Sequence, residues 1–442
     1  MIKKILKYIV IFFMFITVFA FLLTVMSSFS SKVLYKNVKK SSETLLNEGN
    51  RKIVYIPYRG TNMQFDNYTD ALMINTAYSI DNNKPFESSF LARKNYIPNV
   101  TDDIYQDTAG ELKSSSKYKY HNEVGELNDL VNGEKVESFE YARYWHGYLI
   151  ILRPLLAFIS LNEIRVIFTI MLISLAVILA YLLYKNINIT VAVIFITGML
   201  GIEYFYLGFS LQGIFVFLIT VISSIYMLQR WNNIKDYNIY FFVIGILTNF
   251  FDFLTVPIVT LVVPLIIYSL LITRKNQKAI TLRNILQYIF LFSINWGIGY
   301  AATWLCKWIL VDMFFNRTML KTALEQVMYR TNTLDNFNAF NVISVNMQYT
   351  YVSLFISLIC TFTMININRK KYEFNFKYFN DEKKQLLILP YVILSVTPFF
   401  WYILLKNHSY YHAFFTYRNL LILVLCINLC IEEFLLKEEK ND

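Results

Sequence analysis

Apolar runs long enough to cross a bilayer alternate with short polar breaks along most of the chain, and one polar stretch interrupts that rhythm. A first apolar run covers residues 5 to 26, the polar stretch covers residues 28 to 146, and further apolar runs fill the remainder. Several runs exceed about 18 residues, enough for a helix to cross a hydrocarbon core of about 30 Å. Only helices and closed barrels satisfy their backbone groups inside lipid. These runs are continuous, whereas barrel strands alternate, so the pattern predicts helices. The expected fold is an all-α polytopic membrane protein with about ten transmembrane helices. One large extracytoplasmic loop module follows the first of them.

The order of runs and charges sets the topology. MIKKILKYIVIFFMFITVFAFLLTVM places lysines before an apolar core of about 19 residues, longer than a signal peptide uses. Residues 1–27 therefore read as an uncleaved anchor, with Lys3, Lys4 and Lys7 holding its start inside. Residues 28–146 then lie outside. The run at 147–161 is short and broken by Arg153 and Pro154, and reads as an interfacial or re-entrant helix with Tyr144, Trp145 and Tyr148 at headgroup level. In the multi-span domain, 147–442, runs at 166–184, 189–206 and 211–228 come first. The apolar stretch 239–272 would be about 51 Å long as one helix, so the break TNFFDFLTVP divides it into two crossings around Asp252. Runs at 285–308, 349–365, 386–405 and 419–436 complete the set and leave both termini cytoplasmic. The loops assigned inside carry the basic residues, among them Lys185, Arg230, Lys275 and Lys371.

Composition agrees with this pattern. Only 16% of the 442 residues are charged, against about 25% in soluble domains. The net charge of +10 would suggest nucleic acid in a soluble protein; here it fits positive-inside topology and anionic lipid, with no nucleic-acid partner. Cys306, Cys360, Cys426 and Cys430 all lie in or beside apolar runs, so the outer stretch has no disulfide framework.

Candidate chemistry gathers at the outer ends of the runs. Asp66 and Asp70 are four apart in FDNYTDALMINTAYSI, on one side of a short amphipathic helix. They are either an N-cap and a first-turn charge or a catalytic carboxylate, with a divalent metal such as Mg or Mn as a possible companion. Asp252 sits among Phe250, Phe251 and Phe253, which suits either a turn cap or a carboxylate facing a cavity. KNHSYYHAFFTYR offers His408, His412 and Arg418, read as an interfacial aromatic belt or as an anion site. Trp296, Tyr300, Trp304 and Trp308 recur every four residues beside Lys307, as a substrate groove or as helix packing. Arg143 and His146 complete the candidate binding residues. No Walker loop, Rossmann fingerprint, GxSxG elbow or CxxC pair occurs.

An anchor helix, an outer loop with acidic residues, interfacial helices and many spans together resemble the GT-C class of membrane glycosyltransferases. DNYTDALMINTAYS, YARYWHGY, FDFLTVP and HSYYHAFFTYR also resemble landmarks of a bacterial membrane protein family. The first resemblance implies transfer of a sugar from a polyprenyl-phosphate donor to a cell-envelope glycan or glycolipid at the outer face of the bacterial cell membrane. Asp66 or Asp70 would match the class's first-loop carboxylate, and Arg418 its contacts to the lipid phosphate. Two other classes fit the same layout: a transporter or flippase of lipid-linked glycans, and a non-catalytic scaffold or sensor.

Overall fold

The computed structural model describes residues 2–57, 61–96, 123–134, 137–275, 281–331 and 338–437. Among these, seven helical stretches are long and apolar enough to cross a membrane: Ile2–Ser28, Leu161–Asn186, Leu211–Asn233, Ile258–Lys275, Leu282–Phe315, Glu382–Leu404 and Ala413–Leu435. The protein is an all-α polytopic membrane protein. Helix α1 (Ile2–Ser28) leads into a polar module of α2 (Tyr35–Glu48), strands β1 (Arg51–Ile56) and β2 (Thr61–Asp66), α3 (Asn67–Tyr78), α4 (Pro85–Leu91), β3 (Arg93–Tyr96), α5 (Glu123–Val131) and β4 (Glu137–Glu140). The short α6 (Leu149–Phe158) returns the chain to the bundle.

The bundle consists of α7 (Leu161–Asn186), α8 (Ile189–Gly201), α9 (Leu211–Arg230), α10 (Tyr237–Phe251), α11 (Ile258–Lys275) and the 34-residue α12 (Leu282–Phe315). Next come α13 (Met319–Thr331), α14 (Ala339–Gln348), α15 (Tyr351–Ile367), α16 (Glu382–Ser395) and α17 (Thr397–Leu404). The chain closes with α18 (Lys406–Tyr411), α19 (Ala413–Thr416) and α20 (Leu421–Leu435). Helices α14 and α15 form one apolar pair bent by 58°. At 13 and 15 residues, α8 and α10 are about 20 Å long each, shorter than a crossing requires. Helix α8 nevertheless joins the two ends of the bundle. Asn188 at its start donates to Glu432 at 2.9 Å, and Ile202 at its end accepts from Arg418 Nε at 3.1 Å.

Helix α7 shows why the bundle belongs in lipid. Ile164, Phe168, Leu172, Ala176, Leu179 and Leu183 form a buried stripe at helical spacing. The opposite face is apolar too, with Val166, Ile170, Val177 and Tyr181 more than half exposed. A water-facing helix would place charge there. The close crossing of α10 and α12 depends on glycine: a Cβ on Gly245 would stand 2.1 Å from the Trp296 carbonyl oxygen.

Two buried arginines join the module to the bundle. Arg153 in α6 donates to the carbonyls of Met26 and Phe29 at 2.9 and 2.6 Å and to that of Ala77, holding the C-terminal ends of α1 and α3. Arg165 in α7 donates to Glu48 at 2.9 Å, Asn67 at 2.9 Å and Asp70 at 3.2 Å. The module also holds two short antiparallel strand pairs, β1 with β2 and β3 with β4, that the sequence reading does not foresee. Burial alternates along RKIVYI, but two basic residues followed by four apolar ones show no alternation in the sequence itself. At the opposite end of the bundle, Arg274 pairs with Glu432 and Glu433 at 2.5 and 2.6 Å, and Tyr372 donates to Glu432 at 2.9 Å.

Candidate functional site

Four segments distant in sequence meet at the module end of the bundle: residues 141–148, the α10–α11 turn, α13 and α18. Gly147 joins the first two. Its N–H donates to the Phe250 carbonyl at 3.0 Å, and a Cβ there would stand 2.5 Å from that oxygen. His146 and Leu254, on either side of this joint, both adopt left-handed backbone, with φ of 56° and 65°. Such conformations cost about 1–3 kcal/mol for non-glycine residues and persist where surrounding contacts impose them.

The contact made by Leu254 sets the state of a histidine. His408 Nε2 lies 2.8 Å from the Leu254 carbonyl, which only accepts, so Nε2 carries the hydrogen. His408 Nδ1 lies 2.9 Å from Arg330 Nη1, which only donates, so Nδ1 is the acceptor. His408 is therefore neutral, and burial with the nearby His412 and Arg330 holds its pKa well below the usual histidine range. Arg330 also donates to the Tyr144 hydroxyl at 3.3 Å. Arg330, His408, His412, Arg143 and several tyrosines line a cavity of about 160 Å³. No carboxylate is among its lining residues, and neither arginine has an acidic partner among the described residues. Two guanidiniums, phenolic hydroxyls and aromatic walls give the cavity groups able to receive an anion.

The candidate carboxylates lie around this cavity rather than in it. Asp66 is the N-cap of α3; it accepts from the Thr69 N–H at 3.1 Å and the Thr69 hydroxyl at 2.6 Å. Burial raises its carboxyl above the usual range while Thr69 pulls it back. Thr69 itself lines the cavity. Asp70 is fully buried; it accepts from Arg165 and from the Leu211 N–H at 2.8 Å, at the first turn of α9. Burial pushes its carboxyl up to about 7 against the pull of Arg165. Asp252 closes the α10–α11 turn, accepting from the Thr255 N–H at 3.0 Å and hydroxyl at 2.6 Å. Burial pushes it up to about 6.

The other candidates divide between joints and a second, smaller pocket. Arg418 and Asp66 share a pocket of about 20 Å³ walled mainly by apolar side chains, room for a water and no more. His146 Nε2 donates to the Tyr141 carbonyl at 2.6 Å, and burial moves the ring's pKa down to about 3. Lys307 is fully buried, donates to the Phe90 carbonyl at 2.6 Å and lies over the Phe90 and Trp145 rings. Trp304 stacks between Tyr300 and Trp308 in the stripe expected from spacing, with its indole N–H buried and without a protein acceptor. Tyr144, Trp145 and Tyr148, expected at headgroup level, are buried inside the protein because the 141–148 segment is wedged between α12 and the α10–α11 turn.

Among the described residues no three His, Cys, Asp or Glu side chains gather to hold a metal ion. His408 has both nitrogens engaged and Asp66 is a lone carboxylate, so these residues do not fit a Mg or Mn site. Arg330, Tyr68, Tyr141 and Tyr329 are cavity residues that sequence reasoning missed. Arg330 and Tyr329 stand in MYRTN within a polar outer stretch, and nothing in the spacing ties that stretch to HSYYH, 78 residues on from Arg330 to His408. Comparison with protein-family models, curated proteins and solved structures finds no match.

Proposed function

We propose that this protein is a membrane glycosyltransferase that takes a sugar from a polyprenyl-phosphate donor and passes it to a cell-envelope glycan or glycolipid at the outer face of the bacterial cell membrane. The observation that carries this reading is the cavity of Arg330, Arg143, His408 and His412 at the module end of the bundle, free of carboxylates. A phosphate on an isoprenoid chain is an anion presented at a membrane surface, and a fork of guanidinium donors is suited to it. Counting α8, α10 and the bent α14–α15 pair with the seven long helices gives ten crossings. The basic Lys185, Arg230, Lys275 and Lys371 then fall at the end opposite the module, with both termini cytoplasmic.

In this mechanism the acceptor oxygen attacks the anomeric carbon and the bond from that carbon to the phosphate oxygen breaks. The electron pair leaves with the polyprenyl phosphate, whose charge Arg330 and Arg143 stabilise. Asp66 and Asp252 act as positioning residues. Asp66 orients Thr69 on the cavity wall. Asp252 holds the turn whose Leu254 carbonyl fixes His408, and His408 in turn fixes Arg330. The test is label transfer from radiolabelled polyprenyl-phosphate sugars in proteoliposomes containing the purified protein and envelope acceptors. Transfer that is lost in Arg330→Ala supports the reading. Donor translocated across the bilayer without transfer assigns the protein to lipid-linked glycan transport and overturns it, as does an absence of both.

A further inference from the structure

The two histidines of the cavity differ in a way that assigns them different work. His408 has both ring nitrogens engaged, by Leu254 and by Arg330. His412 shares the cavity, 4.8 Å from His408 between ring centroids, and stacks on Phe415 at 5.2 Å with planes 16° apart. The stacking fixes its plane, and the residue forms part of the cavity wall. No hydrogen bond to either nitrogen is made among the described residues.

Resting on the phosphate reading of the cavity, we propose that His412 is the proton acceptor of the site: it takes the proton of the acceptor hydroxyl during transfer and stays protonated beside the departing phosphate dianion. The step balances. The hydroxyl proton moves to a ring nitrogen lone pair, the acceptor oxygen bonds to the anomeric carbon, and the phosphate leaves with the electron pair of the broken bond. The carboxylates are poorly placed for this task, since Asp70 is enclosed by Arg165 and Leu211, and Asp252 by its own turn.

The charge environment gives the step a direction. His412 is faced by His408 of α18, by Arg330 of α13 and by Arg51 of β1, with Arg143 also on the cavity wall. Tyr68, Tyr141, Tyr144 and Tyr329 complete the titratable lining. Burial and these cations hold the ring near a pKa of about 3 in the empty cavity, so it rests neutral and able to accept a proton. A phosphate dianion offsets the cations and raises that pKa, because an opposite charge within a few ångströms favours the protonated form. Binding of the dianion therefore takes up a proton. Affinity then falls as pH rises from the empty-site pKa to the bound-state pKa, by at most about tenfold per pH unit for one proton, and levels off above the bound-state value.

The experiment is calorimetric titration of the detergent-solubilised full chain with farnesyl phosphate and, separately, inorganic phosphate. It is run at about pH 7.5, where both are mainly dianions, in buffers of different ionisation heat. The expected result is uptake approaching one proton per phosphate bound in the wild type and close to none in His412→Gln, with binding retained. Binding without uptake in the wild type, or uptake in His412→Gln and His412→Asn equal to that of the wild type, overturns the proposal and leaves the phosphate reading standing. Failure of both ligands to bind, or binding unchanged in Arg330→Ala, overturns the phosphate reading itself. Tighter binding of farnesyl phosphate than of inorganic phosphate, with His412-dependent uptake, supports the proposal for a lipid ligand. Equal affinities with the same uptake support it for free phosphate.

Discussion

His408 Nδ1 accepts from Arg330 Nη1 at 2.9 Å, while its Nε2 donates to the Leu254 carbonyl at 2.8 Å. One ring thus couples a backbone turn to a guanidinium across the cavity, and protonation of Nδ1 breaks the bond to Arg330 while leaving the one to Leu254. Replacing Arg330 by Lys keeps the charge and loses the planar fork, so farnesyl phosphate affinity should fall by about tenfold or more, the loss of one charge-assisted hydrogen bond. His408→Phe should weaken binding by a similar factor, and His408→Gln, which retains a donor and an acceptor, should recover part of it. Equal affinity in wild type and His408→Phe would show that Arg330 needs no support from this ring.

Arg165 is the joint on which the module depends. It is 3% exposed and donates to Glu48, Asn67 and Asp70 at once. Arg165→Ala leaves the fully buried Asp70 without its cation, while Glu48 keeps Lys52 at 2.5 Å; removing one member of a buried pair costs on the order of 3–5 kcal/mol. The expected outcome is a clearly lower Tm in detergent and poor recovery of folded protein. Asp70→Asn should lower Tm by less and leave farnesyl phosphate binding unchanged, because Asp70 does not line the cavity. A selective loss of turnover in Asp70→Asn at wild-type Tm would restore a catalytic role to that carboxylate.

The breaks between apolar runs were legible because their physics is local. Asp66 reads as an N-cap from the residues that follow it, and α3 begins at Asn67. The break at Asp252 falls where α10 ends, at Phe251. The stripe Trp296, Tyr300, Trp304 and Trp308 stacks in order, with centroids 5.0 to 5.7 Å apart. What brings Arg330 to His408, or Asp70 to Leu211, is the packing of helices against one another. Hydropathy carries no record of which neighbour a helix end meets. The same holds for Arg153: as a charge inside an apolar run it reads as an interruption, whereas the carbonyls of Met26 in α1, Phe29 just after it and Ala77 in α3 receive it.

Topology can be read by labelling single cysteines in a background lacking the native four. Lys36 and Tyr411 are exposed at the module end, and Lys275 and Lys371 at the opposite end. A membrane-impermeant maleimide added to intact cells should modify cysteines at 36 and 411 and spare those at 275 and 371 until the membrane is permeabilised. Ser409, though within the same turn as Tyr411, is fully buried and should stay unlabelled on both sides. Labelling at 275 in intact cells would place the cavity on the cytoplasmic side and remove the outer-face reading.

Asp252 gives the pH-dependent prediction, and its sign follows from the direction of its shift. Burial raises the folded-state pKa from 3.8 to about 6, above the unfolded value. The folded state therefore holds the proton more tightly, and this group's contribution to stability is fully present below about pH 4 and lost as pH rises through about 6. Above that, the charged carboxylate is carried at a cost of up to about 3 kcal/mol, at 1.36 kcal/mol per pKa unit. Asp252→Asn retains an oxygen able to accept from the Thr255 N–H and hydroxyl, which Asp252 Oδ1 meets at 3.0 and 2.6 Å, and it carries no charge. The variant should therefore match or exceed wild-type Tm at pH 7.5 and converge with it toward pH 4, as measured by thermal unfolding in detergent across that range. The turn and its Leu254 carbonyl should keep His408 in place, so farnesyl phosphate binding should persist. A variant less stable than wild type at pH 7.5 would mean that Asp252 is ionised against a cation, and that the turn is held by charge rather than by Thr255.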